Sequence, residues 1–181
     1  MRRVILNLAM SLDGFIEGPN GEYDWCFNDQ DYGMTEFLNN SDAIFLGRKS
    51  YETLLAAGPE LFAALKLYVF TDTLTAVEGN AEIIRSADFE ARVNEIRHSA
   101  GGNIWLFGGA QLVSAFIDHK QINEFILSVH PVILGGGKAL FNIKERANLM
   151  FLGSESYSSG LIQLRYTFKP EFDMSMIDLL G

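Results

Sequence analysis

Apolar runs of strand length alternate with segments of helical period along the first two thirds of this chain. Val4 to Met10 is an apolar run rich in strand formers, and Asp42 to Leu46 is a second strand, broken by Gly47. Leu67 to Phe70, Glu82 to Arg85 and Asn103 to Phe107 read as three more strands, the last stopped by Gly108-Gly109. Between them, the pattern predicts helices ending over Thr35 to Asn40 from a start near Asp31, over Ser50 to Ala57, and over Leu112 to Ile117. A further helix spans Asp88 to Ser99, capped by Ser86 or Asp88, with Phe89, Val93 and Ile96 on one face. Past residue 122 the rhythm changes. Asn123 to His130, Met150 to Tyr157 and Leu161 to Lys169 are strand-like with little helix between them. Gln163, Arg165 and Thr167 alternate with Leu164, Tyr166 and Phe168, the signature of a strand with one wet face. The expected fold is α/β, a mostly parallel sheet with an antiparallel C-terminal portion, in a single domain over 1–181. The tail 170–181 is apolar for a chain end (Met174, Met176, Ile177, Leu179, Leu180), which suggests packing on the domain or on a second copy, as a homodimer.

Composition narrows the partners. The 181 residues are 48% hydrophobic and 20% charged, enough apolar material for one core. With 14 Lys+Arg against 23 Asp+Glu the formal charge is -9, which disfavours nucleic acid and anionic membrane surfaces. The single cysteine, Cys26, excludes an internal disulfide and a multi-thiolate zinc site, and it suits a reducing, cytoplasmic setting. Met1-Arg2-Arg3 before Val4 to Met10 starts like a leader, but the run is short and Asp13 follows without a small-residue cleavage site, so an opening strand is expected. No stretch is long and apolar enough to span a bilayer, and no histidine pair has metal-ligand spacing.

Two strand-to-helix turns carry the chemistry. In Ile44-Phe45-Leu46-Gly47-Arg48-Lys49-Ser50 a buried strand ends on glycine and a helix starts within three residues. The free N–H groups of a first helical turn carry partial positive charge, and Arg48, Lys49 and Ser50 add charge and a hydroxyl. In Trp105-Leu106-Phe107-Gly108-Gly109-Ala110-Gln111-Leu112 a glycine pair removes both Cβ atoms where a pyrophosphate would approach the backbone. Either turn alone is also what any α/β protein uses to leave a strand. Together, at the carboxyl ends of strands, they suit a dinucleotide. Gly135-Gly136-Gly137-Lys138 is not a P-loop, because Ala139 replaces the required Ser or Thr and the glycine spacing is missing.

These turns, with Ser11-Leu12-Asp13-Gly14-Phe15-Ile16 and His130-Pro131-Val132-Ile133-Leu134-Gly135-Gly136-Gly137-Lys138-Ala139-Leu140-Phe141, make the chain resemble the dihydrofolate reductase superfamily from about Arg3 to Lys169. The branch it resembles most is typified by the reductase domain of riboflavin biosynthesis and its stand-alone relatives. The resemblance implies a three-layer fold around about eight strands and an NADP(H) cofactor, with NAD(H) as the alternative. It places Ala9 and Ile16 at the nicotinamide end, and Gly47, Arg48, Lys49 and Ser50 on the pyrophosphate and adenosine side, with Arg48, Lys49 and Thr71 as candidates for the 2′-phosphate. Gly108, Gly109, Ala110, Gln111 and Leu112 fall at the pyrophosphate, and Gly14 to Trp25 as a mobile loop over the site. Asp72 departs from the pattern, being acidic where relatives often touch the 2′-phosphate with a basic or hydroxyl residue.

Among single residues, Asp31 is read either as the acid near the substrate or as a helix cap, with Glu36 as a competitor, and Trp25 as a substrate-stacking group or lid anchor. Asp13-Gly14 reads as a turn, His130 as structural and Cys26 as unreactive. The expected activity is hydride transfer from NADPH to a small pterin-like or ribosylaminopyrimidine-like heterocycle. The alternative is a dinucleotide-binding module without turnover.

Overall fold

The computed structural model describes residues 1–58 and 62–170. The apolar tail therefore lies, apart from Pro170, outside the described residues. The core is an eight-stranded sheet with order β5-β4-β3-β6-β1-β7-β10-β9. Its strands are β1 (Val4–Ser11), β3 (Ser41–Gly47), β4 (Lys66–Phe70), β5 (Ala81–Ile84), β6 (Asn103–Gly108), β7 (Glu124–His130), β9 (Leu149–Ser156) and β10 (Ile162–Phe168). β1 lies between β6 and β7, parallel to both, and β3, β4 and β5 continue the parallel array. β10 is antiparallel to both β7 and β9, so it alone in this sheet runs against the others.

Strand alternation divides the sheet into two apolar faces. Val4, Leu6, Leu8 and Met10 of β1 join a core with Phe45, Ile104 and Phe125, covered by helices α3 (Phe89–His98) and α4 (Ala110–Asp118). Ile44, Leu46, Leu67 and Trp105 face the other way, against α1 (Met34–Asn39) and α2 (Arg48–Ala57). Each helix buries only one stripe: α3 hides Val93 and Ile96, and α4 hides Leu112, Val113, Phe116 and Ile117. The result is three layers, as expected.

The predicted wet face of the last strand has partners. Arg165 pairs with Glu124, a carboxylate 1% exposed that Arg3 holds from its other side at 2.6 Å. Thr167 Oγ1 donates to Asn123 O at 2.9 Å, and Gln163 Nε2 reaches Ser128 Oγ at 3.4 Å.

Boundaries moved where local turns compete with periodicity. α1 begins at Met34 rather than near Asp31, because Tyr32 and Gly33 both take positive φ. α2 begins at Arg48, and a short 3-10 turn, Ser86–Asp88, precedes α3. A two-stranded ribbon, β2 (Phe15–Glu17) with β8 (Lys138–Ala139), lies in segments that carry no strand-length apolar run.

Phe116 stands at the centre of the α3/α4 side, fully buried, with ring centroids 5.0 Å from Phe89, 5.4 Å from Phe45 and 5.7 Å from Phe70. Phe116→Ala should lower unfolding free energy by about 3–5 kcal/mol in urea titration. A loss below about 1 kcal/mol would mean this cluster is not the core of the layer.

Candidate dinucleotide and substrate site

Because β1, β3 and β6 are parallel, their carboxyl ends share one edge, and α2 and α4 both start there. Gly47 is the N-cap of α2 and Gly109 that of α4. The first bond closing α4 runs from Val113 N to Gly109 O, so the N–H groups of Ala110, Gln111 and Leu112 have no helical partner. Leu112 and Ala110 are buried, which leaves their backbone, not their side chains, for recognition.

The two turns converge. A Cβ placed on Gly109 would stand 3.7 Å from Ser50 Oγ and 3.7 Å from Lys138 Nζ, and one on Gly47 would stand 3.7 Å from Gly108 O. Gly109 is thus the floor of a cradle walled by a hydroxyl and an ammonium, beside free N–H donors. That donor set fits a pyrophosphate. The sequence reading placed Gly47, Ser50 and the Gly108–Leu112 segment here, and the structure brings them together. Lys138, which the sequence shows in the glycine run of the His130–Phe141 motif, carries no signal there of its place in the cradle.

The remaining cofactor-side residues spread outward. Lys49 is exposed, and the Arg48 guanidinium is held by Glu52 Oε1 at 2.9 Å and Oε2 at 3.1 Å. Thr71 is nearly buried after β4. Its Oγ1 accepts the N–H groups of Thr73 and Leu74, each at 3.2 Å, and its carbonyl accepts Arg85 Nη1 at 2.7 Å. The acidic departure, Asp72, is committed to Ser86, with N–H at 2.9 Å and Oγ at 2.6 Å, and its carboxyl is held below its ordinary range chiefly by the Ser86 hydroxyl. Arg85 is a cation that the sequence reading did not single out.

On β1, Ile5, Asn7, Ala9 and Ser11 point away from the α3/α4 core, and Ala9 pairs with Ser128 of β7. Ile16 sits in β2, partly buried against that core. The segment after β2 is tied to the end of β7. His130, 2% exposed, fastens it: Nδ1 meets Ser128 O at 3.0 Å and Nε2 accepts Phe27 N–H at 3.1 Å. This pattern requires a neutral ring, and burial lowers the His130 pKa. Trp25 and Phe27 pack edge-on against the ring, at 5.3 and 5.0 Å. The Trp25 indole N–H is buried without a hydrogen-bond partner, an orphan donor beside His130. Cys26 beside it has its thiol pushed up to about 11 by burial and then by Asp24, the opposite of an activated thiolate.

Asp31 is exposed, and its carboxylate accepts Thr35 N at 2.9 Å and Thr35 Oγ1 at 2.6 Å, tying down the start of α1. The Thr35 hydroxyl lowers its pKa, so the carboxyl is held ionised, the wrong form to give a proton. Asp13 does more than close a turn. Its oxygens accept Ser11 Oγ at 2.7 Å, Gly135 N at 2.8 Å and Leu134 N at 3.1 Å, clamping the β7–β8 loop to the end of β1. Among the described residues no group of acidic, His or Cys side chains has metal-binding geometry, and no helix is long and apolar enough to cross a membrane.

A sheet of this order, with its one reversed strand and the cradle at its carboxyl edge, is a dihydrofolate-reductase-like fold. Dihydrofolate reductase from Enterococcus faecalis, solved with NADP(H), superimposes with a TM-score of 0.70 at 12% identity, covering 93% of this chain and 97% of that one. The chain belongs to the RibD C-terminal domain family, whose model matches residues 2–163. It is 43% identical over 178 residues to the protein YyaP of Bacillus subtilis (strain 168), 91% of this chain and 94% of YyaP. The diaminohydroxyphosphoribosylaminopyrimidine deaminase/5-amino-6-(5-phosphoribosylamino)uracil reductase of Thermotoga maritima matches with a TM-score of 0.72 at 17% identity. That match covers 93% of this chain but 57% of the larger protein.

The His130 contacts predict a pH response. The folded state disfavours the imidazolium, so between the lowered folded pKa and the ordinary value near 6.5 the unfolded or open form binds more protons. The clamp on Phe27 is therefore complete above about pH 6.5 and weakens as pH falls below it. In Trp105→Phe, which leaves Trp25 as the one tryptophan, emission should shift to longer wavelength from pH 7 to 5, and additional His130→Asn should abolish the titration. A flat response in the first variant would sever the lid from His130.

Proposed function

We propose that this chain is an NADPH-dependent reductase acting on a small heterocycle of the pterin or ribosylaminopyrimidine kind. The observation that carries this reading is the cradle at Gly109, where two helix starts, Ser50 and Lys138 face one point that a side chain would fill. When bound, the reduced nicotinamide supplies the hydride. Gly108, Gly109 and the N–H groups of Ala110, Gln111 and Leu112 receive the pyrophosphate. Gly47, Arg48, Lys49, Ser50 and Thr71 line the adenosine side, and Ala9 and Ile16 border the nicotinamide. The 2′-phosphorylated cofactor is favoured over NADH because the Asp72 carboxylate is satisfied by Ser86 and because Arg85 stands beside Thr71.

The substrate lies under the Trp25 to Tyr32 segment, where the unpartnered Trp25 N–H meets a ring carbonyl or nitrogen and the His130 clamp keeps water out. An ordered water, rather than ionised Asp31, brings the proton. The state of Asp31 is also what favours the second reading, a dinucleotide-binding module without turnover. We further propose a cytoplasmic homodimer, supported by the exposed Met150, Phe151 and Leu152 on edge strand β9. A monomeric mass in micromolar solution scattering would end that proposal.

The two readings separate by experiment. Energy transfer from tryptophan to NADPH should report binding, and absorbance at the nicotinamide band should fall with a ribosylaminopyrimidine or dihydrofolate present. Gly109→Ala, which places its Cβ in ordinary contact distance of its neighbours, should keep the melting temperature and weaken NADPH binding at least about tenfold. Binding without consumption of any such substrate would select the module, and unaltered binding by Gly109→Ala would remove the cradle from the argument.

A further inference from the structure

The Gly135-Gly136-Gly137-Lys138 run reaches the phosphate cradle by a different route from a P-loop. Gly137 has φ +129°, and a Cβ there would stand 2.1 Å from Glu17 O and 3.0 Å from Gly18. Only glycine lets β8 press this closely on β2, and Lys138 is thereby fixed opposite Glu17 in the ladder. From this anchored backbone the Lys138 side chain crosses to Gly109, where its Nζ and Ser50 Oγ converge. The same Nζ donates to Glu17 Oε1 at 2.9 Å, and both side chains are only about one third exposed, 34% and 38%.

We infer that Lys138 is the cation that receives the phosphates of the dinucleotide, and that Glu17 is its resting counter-ion. The inference rests on the dinucleotide reading above. A chain of formal charge -9 presents an unfavourable average field to an incoming phosphate, so local positive charge decides whether it binds. Of the cations near the turns, Arg48 turns to Glu52 on its own helix and Lys49 is exposed, and neither is among the atoms nearest the Gly109 floor. Lys138 is the ammonium that stands over the glycine floor, and its charge is cancelled there by Glu17. An arriving phosphate competes with that carboxylate for the same donor, and the two anions repel each other. Glu17 immediately precedes Gly18, where the segment covering the substrate side begins.

This arrangement separates from a merely structural ion pair by the sign of two substitutions. Removing either partner breaks the same pair and should cost similar stability in the free protein. Only a phosphate-binding lysine makes the two act oppositely on NADPH. With tryptophan-to-nicotinamide energy transfer as readout, Lys138→Met should raise Kd for NADPH at least about tenfold, with a shallower salt dependence. Glu17→Gln should lower Kd severalfold, Lys138→Arg should stay near wild type, and Glu17→Gln should gain nothing in the Lys138→Met background. Equal weakening by Lys138→Met and Glu17→Gln, or no change in either while the wild type binds, overturns this inference and leaves the dinucleotide reading standing. If the wild type binds no dinucleotide, both fall. Should Lys138→Met fail to fold, Glu17→Gln decides alone: tighter binding supports the exchange, and unchanged or weaker binding overturns it.

Discussion

Parallel pairing is the constraint from which the functional edge follows. β1 is locked between β6 and β7 by two parallel ladders, and β3 continues the array on the far side of β6. Once these strands point the same way, every connection between neighbours must cross back over a face, and each crossing helix must begin where a strand ends. The starts of α2 and α4 are brought side by side by that geometry, with Ser50 facing Gly109 and Gly47 facing Gly108. The unpaired N–H groups of those first turns, which elsewhere would be left to water, become a shared donor surface. Glycine at both N-caps keeps the surface open, and the sheet beneath keeps it rigid.

Much of this was legible in the sequence. Val4 to Leu6, Ala43 to Leu46 and Ile104 to Leu106 are buried on both faces, and a doubly buried strand reads as an unbroken apolar run. Gln163, Arg165 and Thr167 showed their face because Glu124, Asn123 and Ser128 gave each a polar neighbour. The glycine turns were legible because their neighbours in sequence are also their neighbours in space. Lys138 was not, since its meaning comes from Gly109 and Glu17, 29 and 121 positions away along the chain. β2 and β8 were missed for the same reason. Two or three residues carry no period, and their pairing is set by the close approach at Gly137.

Asp31 and Asp13 show how far residue type alone misleads about carboxylates. Of the two roles open to Asp31, acid or cap, its bonds to Thr35 match the cap, and Asp13, besides its turn, holds two segments together through the backbone of Leu134 and Gly135. In both cases hydrogen bonds to the ionised form lower the pKa. The acidic surface of this chain is thus partly scaffolding, with carboxylates working as fixed acceptors for loops that have no ladder to join.

The close approach at Gly137 also divides this edge of the fold into parts with different tolerance to change. β2 and β8 touch backbone to backbone, so neither can change length or shift register without the other, and Asp13 pins the loop between β7 and β8 to the same unit. Variation is instead free to accumulate in the stretch from Asn20 to Tyr32, held to the sheet through His130 and Gln163 at only a few points. An engineered library that seeks new surface chemistry without disturbing the paired backbone would therefore place its codons in that segment.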